Sequence, residues 1–334
     1  MKLNFLSKIL MLTNLVLLTL QLFLMDTFWD FYHYPFLNLM VPFIALINVI
    51  FFVFWIIKFK WPFFLFLFSI LIGFKEWGKL YKFPNNSIPT SSGIKVMSFN
   101  VRLFNSFEWI DSKSVPESIE NFINKVSPDL VCLQEYSKEF GPKFKNYPYQ
   151  YIASSKKNGQ NGLCILSKYP LSNRGRLDFD DSNNSALYAD FFHKKDSIRI
   201  YNVHLESLRI NPEDTLFTQE HSQKFIQRIH SIVQKQEFQI DLFDKVEQKS
   251  NYPTIICTDL NNNAFSRVYK RLKDDRLDAF MLSGEGLGST YKLAHFPFRI
   301  DFIFTDQKFK VINFETHDIK LSDHKPISAL LEWK

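Results

Sequence analysis

The sequence predicts an α/β domain carried behind about three apolar, membrane-crossing helices, and three observations point there. Residues 1–82 are dominated by Leu, Phe and Ile, whereas the rest of the 334-residue chain is an ordinary mixed sequence. From Ile94 onward, short strand-like runs are interspersed with helix-like stretches. Six polar clusters sit in order at the ends of such runs: Ser98-Phe99-Asn100, Gln134-Glu135, Asn202-Val203-His204, Thr258-Asp259-Leu260-Asn261, Arg299-Ile300-Asp301 and Ser322-Asp323-His324.

The first apolar run, Ile9 to Met25, follows Lys2 and Lys8 and has the outline of a signal peptide. No small-x-small cleavage site follows it, so an uncleaved helix is expected. Pro35 to Ile57 is long enough to span, since about 20 apolar residues cross a bilayer core. Trp61 to Phe74 is shorter, with Trp61, Trp77 and Tyr81 as candidate interfacial anchors, and is expected to be a third span. Lys2, Lys8, Lys58 and Lys60 then lie on one side and Asp26 and Asp30 on the other. The positive-inside tendency puts the N-terminus in the cytoplasm and the C-terminal domain in a periplasm or equivalent space. Lys75, Lys79 and Lys82 oppose that orientation, and a two-span count would reverse it.

Seven lysines against three acids in residues 1–82 supply +4 of the net charge of +6, leaving about +2 for the remainder. The high isoelectric point therefore reflects the lysines that flank the apolar runs, not the basic footprint of a dedicated duplex binder. Cys132, Cys164 and Cys257 lie inside apolar runs without CxxC spacing, which argues for packing rather than disulfides or zinc.

Residues 83–93, rich in Pro, Asn and Ser, read as a linker between an anchor, 1–82, and a domain, 94–334. Ser114 to Val126 reads as a helix, with Pro116 early and Ile119, Phe122, Ile123 and Val126 on one stripe. DLVCLQE is a buried strand. YQYIASSKKNGQNGLCILSKYPL is a hairpin turning at Lys156-Lys157-Asn158-Gly159, and ALYADFF pairs with IRIYNVHL. Residues 213–249 form a long helix-like stretch, with Phe225, Ile229, Ile232 and Val233 at helical spacing. Gly288-Ser289-Thr290-Tyr291 is either a loop beside the substrate or a simple turn.

Strand ends on one sheet edge converge, so these polar groups are expected to build one pocket. Carboxylates and amide oxygens suit a hard cation, and a His beside an Asp is a ready acid or base. Asp259 and Asn261, two apart after a strand, point to one face. Neither a GxSxG elbow, a P-loop nor an HExxH motif occurs, so serine hydrolysis, nucleotide-driven motor chemistry and zincin proteolysis lack support.

The ordered set, above all Ser322-Asp323-His324 and Asp259-x-Asn261, resembles the endonuclease/exonuclease/phosphatase superfamily, over about Ile94 to Lys334. The resemblance implies a four-layer α/β sandwich, two mixed β-sheets face to face with helices outside, and metal-assisted phosphoester hydrolysis. It implies Asn100, Glu135 and Asp323 around magnesium or manganese, with Glu135 the principal ligand. It also implies Asp259 orienting the attacking water, Asn261 and His204 at the phosphate, and a His324–Asp301 acid–base pair. Arg102, where some members carry Asp, departs from the pattern and weakens the argument for a second metal. The expected partners are the bilayer and a phosphoester, either nucleic acid or a phospholipid head group, with no protein partner inferred. A non-catalytic membrane-bound binding module is the rival from another class.

Overall fold

The computed structural model describes residues 3–25, 35–84, 93–155, 159–210, 219–293 and 296–334. The loop bearing Asp26 and Asp30, most of the 83–93 linker, three of the four expected turn residues at 156–159 and the start of the 213–249 stretch lie outside them.

Two six-stranded sheets form the centre. The first contains β1 (Ile94–Asn100), β2 (Leu130–Gln134), β3 (Tyr149–Ser154), β4 (Gly162–Ser167), β13 (Phe309–Thr316) and β14 (Ile327–Trp333), in spatial order β13-β14-β1-β2-β4-β3. The second contains β5 (Leu171–Asp178), β6 (Ser185–His193), β7 (Asp196–His204), β8 (Thr254–Asp259), β9 (Leu277–Asp278) and β12 (Asp301–Thr305), in order β5-β6-β7-β8-β12-β9. A separate hairpin pairs β10 (Tyr291–Leu293) with β11 (Phe296–Phe298). Both large sheets are mixed: β1 runs parallel to β2 and β7 parallel to β8, while the other pairings are antiparallel.

The period-two alternation of each strand builds the layers. Val96, Cys132 and Ile165 of the first sheet meet Leu187, Ile200 and Ile255 of the second in a core between the sheets. The alternate residues Phe99, Val131 and Leu133 pack outward on α5 (Val115–Val126) through Ile119 and Ile123. Tyr201, Val203 and Ile256 pack outward on α6 (Gln219–Glu247) and α7 (Arg267–Lys273). Helix α5 starts with Pro116 in its first turn, where no N–H is needed, and stops at Ser127 in left-handed conformation. A short helix, α8 (Ala279–Ser283), is capped by Asp278, whose Oδ1 accepts the Phe280 N–H at 3.0 Å. The α/β sandwich expected from the sequence is the fold observed. All three cysteines are buried and free, as apolar packing requires.

Ahead of the sandwich lie α1 (Phe5–Met25), α2 (Phe36–Ile57) and α3 (Phe63–Ile72), followed by the short α4 (Phe74–Trp77). Only α1 and α2 are long and apolar enough to cross a bilayer; the run expected to be a third span folds as a ten-residue helix closed at Gly73. That corrects the count of spanning-length helices among the described residues from three to two. Helices α1 and α2 pack antiparallel through polar side chains. Asn14 Nδ2 donates to Asn48 Oδ1 at 3.1 Å, Asn48 Nδ2 to Gln21 Oε1 at 2.7 Å, and Trp55 Nε1 to Asn14 Oδ1 at 3.3 Å. These amides are buried, while Leu12, Val16, Ile50, Val53 and their neighbours are exposed. Phe52 stacks on Phe66, and Trp77 and Leu80 join Met25 and Val41, so α3 and α4 run back along the pair toward the sandwich.

Candidate active site

The pairing registers show why six distant clusters meet. In the parallel pairs Asn100 lies opposite Gln134 and His204 opposite Asp259, so the C-terminal ends of β1, β2, β7 and β8 share one edge. Antiparallel β12 begins there, with Asp301 opposite Asp259. Strand β14 pairs Ile327 with Ser98, which brings the preceding Ser322-Asp323-His324 to the same edge. Asn100, His204, Asp259 and Asp301 also share strand parity with the inter-sheet core residues Val96, Ile200, Ile255 and Ile303. The inner face that is apolar in mid-strand becomes the site at the strand end.

Beneath the site a polar clamp joins the sheets. Gln134 Nε2 donates to Ser98 Oγ at 3.1 Å and to Asn202 Oδ1 at 2.8 Å. Asn202 Nδ2 donates to the Leu133 and Cys164 carbonyls, each at 2.9 Å. Replacing Asn202 by Leu would take one of two acceptors from the Gln134 amide and the side-chain donor from two buried carbonyls. The expected cost is about 2–4 kcal/mol, a fall in melting temperature of roughly 5–10 °C for the full chain in detergent. A melting temperature within a degree of wild type would show that the clamp carries no net stability.

The candidate residues converge around Asp259, which is fully buried. Its Oδ2 accepts from Asn100 Nδ2 at 2.9 Å, and lies 3.5 Å from His204 Nε2 and 3.8 Å from His324 Nε2. Its Oδ1 accepts the Asn261 N–H at 2.9 Å, and Asn261 Nδ2 donates to the Leu205 carbonyl at 3.0 Å. Burial pushes the Asp259 carboxyl above its ordinary range; His324 pulls it back, Asp301 pushes it further, and His204 and Asn100 pull it back again. Asp301 accepts from His324 Nδ1, at 2.9 Å to Oδ2. Its own backbone N–H, with that of Ile300, is held by Thr290 Oγ1 at 3.2 and 3.1 Å. The Gly288–Tyr291 segment thus buttresses Asp301, and Tyr291 places its ring 5.1 Å from the His324 ring.

Burial opposes charge on His324, but the Asp301 and Asp259 carboxylates outweigh it, and its pKa is raised well above the ordinary histidine value. Relative to the unfolded chain, the imidazolium adds stability that is fully present below about pH 6.5 and is lost as the pH rises through the higher folded value. In NMR titration of the metal-free protein the His324 ring signal should move well above pH 6.5, and Asp301→Asn should bring it down by removing the paired negative charge. A midpoint at the ordinary histidine value in wild type would contradict this electrostatic picture.

Of the residues expected around a metal, Asn100 and Glu135 come together, with Asn100 Nδ2 donating to Glu135 Oε1 at 3.1 Å. Glu135 adopts φ 49°, and Arg102 to Asn105 are four consecutive non-glycine residues with positive φ. Such conformations cost roughly 1 kcal/mol or more each and gather where a fold holds side chains in place for function. Asp323 instead pairs with Arg102, Nη1 to Oδ2 at 3.3 Å, and that guanidinium lies 4.0 Å from the Trp109 ring centroid. The departure noted at position 102 therefore has a structural consequence: an arginine partly neutralises one expected ligand. Asp259, Asp301 and His324 form a second cluster, with potential ligand atoms all within 4.8 Å of one another, though His324 and Asp301 are engaged with each other. Hard oxygen donors around a pocket fit a divalent cation.

Matching to protein-family models identifies residues 97–324 as an endonuclease/exonuclease/phosphatase family domain. The chain belongs to the endonuclease/exonuclease/phosphatase family. Its members' fold recurs among solved structures. A family protein from Bacteroides vulgatus aligns with TM-score 0.55 at 17% identity over 73% of this chain and 100% of its own. The human Nocturnin catalytic domain, solved with bound sulfate, aligns with TM-score 0.55 at 15% identity over 74% and 97%. A mannosyl-6-phosphatase from Bacteroides thetaiotaomicron gives TM-score 0.53 at 14% identity over 72% and 100%. No curated protein sequence matches the chain. The chain is thus a hydrolase of phosphoester bonds, in a family that generally depends on a divalent metal.

Some site residues carried no sequence signal of their own. Gln134 and Asn202 stood inside recognised clusters, but their clamp across the sheets depends on a packing distance that no spacing encodes. Tyr291 was one residue of an ambiguous turn. The N-terminal part of α2, which lines the pocket through Phe36, Leu39, Met40 and Phe43, read only as membrane helix.

Proposed function

We propose that the chain is a membrane-anchored, magnesium-dependent phosphoester hydrolase, with an anchor at 1–82, a linker at 83–93 and a catalytic domain at 94–334. The observation that carries the reading is the His324–Asp301 pair set against the Asp259 carboxylate at one edge of the sandwich. Asp301 accepts from Nδ1 and so leaves Nε2 to carry or take the proton at the reacting centre. Asp259, fixed by Asn100 and the Asn261 N–H, orients the attacking water; His204 and Asn261 contact the phosphate. Glu135, with Asn100 and Asp323, would hold magnesium, for which manganese could substitute. When bound, that ion offsets charge on the phosphoryl and leaving oxygens.

The anchor reading rests on an inside-out arrangement. Only 28% and 22% of the apolar windows of α1 and α2 are buried, whereas a soluble core helix would be mostly covered. The Asn14, Gln21 and Asn48 amides are buried between them while Leu12, Val16, Ile50 and Val53 face outward, as lipid demands. Lys8, Lys58 and Lys60 lie at the end of the helices away from the sandwich, so positive-inside reasoning places that end in the cytoplasm. Although only two helices have spanning length, the consecutive α3 and α4 carry the chain back along the pair to the other end, and on that return we place the catalytic domain on the extracytoplasmic side. Of the opposing lysines, Lys79 is paired with Glu76 and lies over the Phe265 and Tyr269 rings.

The test is hydrolysis of bis-p-nitrophenyl phosphate and p-nitrophenyl phosphate by the full chain in detergent, with magnesium and after chelation. Turnover should vanish on chelation and return with added magnesium. Turnover indifferent to the chelator would remove the metal from the mechanism. No turnover of either ester would favour a binding module that keeps the fold without the chemistry.

A further inference from the structure

We infer that the substrate is a membrane lipid carrying a phosphoester in its head group, and that the N-terminal part of α2 forms one wall of its binding pocket; this rests on the hydrolase reading above. The catalytic edge opens into a cavity of about 390 Å³. Glu135, Asn261 and His324 stand at its polar end, while Phe36, Leu39, Met40 and Phe43 of α2 form an apolar side. A volume of this order suits a small ligand enclosed in a cleft, not a nucleic-acid duplex.

The wall is fixed to the catalytic machinery. Asn38 Nδ2 donates to the Phe265 carbonyl at 2.6 Å, and Asn263 Nδ2 donates back to the Asn38 carbonyl at 2.9 Å. Asn263 belongs to the same turn as Asn261, so the helix is hydrogen-bonded to the loop that carries a candidate phosphate contact. On the other side, Phe43 stacks on Phe296 with centroids 4.0 Å apart and approaches Phe298 at 5.7 Å, which ties α2 to the β10–β11 hairpin. Leu39 is buried in the same cluster as Val203 and Leu260, the neighbours of His204 and Asp259.

Charge and apolarity then select the occupant. A polynucleotide laid through this cavity would put phosphates against phenylalanine, leucine and methionine, losing hydration without partners. A phospholipid satisfies both ends at once: its phosphate meets Asn261 and His324, and the first part of its hydrocarbon lies along Phe36 to Phe43. The wall continues into the exposed apolar flank of α2, at Leu46, Val49, Ile50 and Val53, so lipid lying beside the helix has an apolar path to the site. In the reaction, water adds across a head-group P–O bond. The water oxygen joins phosphorus, a proton passes to the departing oxygen, and an alcohol and a phosphate with one fewer ester bond are released.

The experiment uses the full chain with magnesium in vesicles of phosphatidylethanolamine, phosphatidylglycerol and phosphatidic acid, followed by phosphorus NMR. Plasmid DNA and bis-p-nitrophenyl phosphate are assayed beside them, for wild type, Met40→Gln and Phe36→Gln. Hydrolysis of a lipid is expected, with kcat/KM on lipid relative to the soluble diester falling about tenfold in each variant. Lipid hydrolysis with that ratio unchanged in both variants would overturn the role of α2. Cleavage of plasmid or the soluble diester with every lipid intact would overturn the lipid substrate and leave the hydrolase reading standing. Silence on all substrates would overturn the hydrolase reading and this inference with it.

Discussion

Replacing His324 by alanine is expected to lower kcat on a phosphodiester by about 10³-fold, the range over which a positioned proton-transfer group acts. The imidazole stands between both buried carboxylates, with Nδ1 2.9 Å from Asp301 and Nε2 3.8 Å from Asp259. Alanine removes the proton carrier and strands Asp301 in a buried position, at a cost of about 1–3 kcal/mol. A stability measurement therefore belongs beside the kinetics, and His324→Gln, which keeps a hydrogen-bonding side chain, separates lost folding from lost chemistry. Both variants should be folded and slow. A folded variant within threefold of wild type would remove His324 from the mechanism.

Glu135→Ala is expected to weaken magnesium binding about 100-fold and to lower turnover with it. Position 135 takes φ 49°, and alanine carries the same Cβ as glutamate, so the backbone strain is nearly unchanged and the loss reports on the carboxylate. Calorimetric titration of magnesium into wild type and variant checks this directly. The Arg102 pairing makes the comparison informative, because Asp323 already has a cationic partner at 3.3 Å and its removal should matter less than removal of Glu135. Equal isotherms for wild type and Glu135→Ala would move the ion elsewhere, with the Asp259–Asp301–His324 cluster the next place to look.

Much of the sandwich was legible because strand chemistry is local. Runs such as IKVMSFN and PTIICTDLN are short and largely apolar, as strands buried on both faces are, and each ends where an apolar inner face gives way to Asn100 or Asp259. The two long apolar helices were legible from composition, and the third run was where local reading overreached: Trp61 to Phe74 is apolar but for Ser69, yet its helix closes at Gly73 after ten residues. Nothing in a one-dimensional hydrophobic run distinguishes a span from a shorter helix that merely returns the chain along its neighbours.

What the sequence determined by itself is the apolar strands that end in the polar clusters and the identity of those polar residues, since apolar runs and residue chemistry are properties of neighbours along the chain. Strands β5, β9, β10, β11 and β13 carry no such cluster and came only with the structure. Tertiary structure alone decided three things. It joined Gln134 to Asn202 across the sheets, it gave Asp323 to Arg102, and it laid Phe36 to Phe43 along the mouth of the site. Each of these is a contact between segments far apart in sequence, set by how two layers or a helix and a loop pack, and packing distances are not written in local spacing.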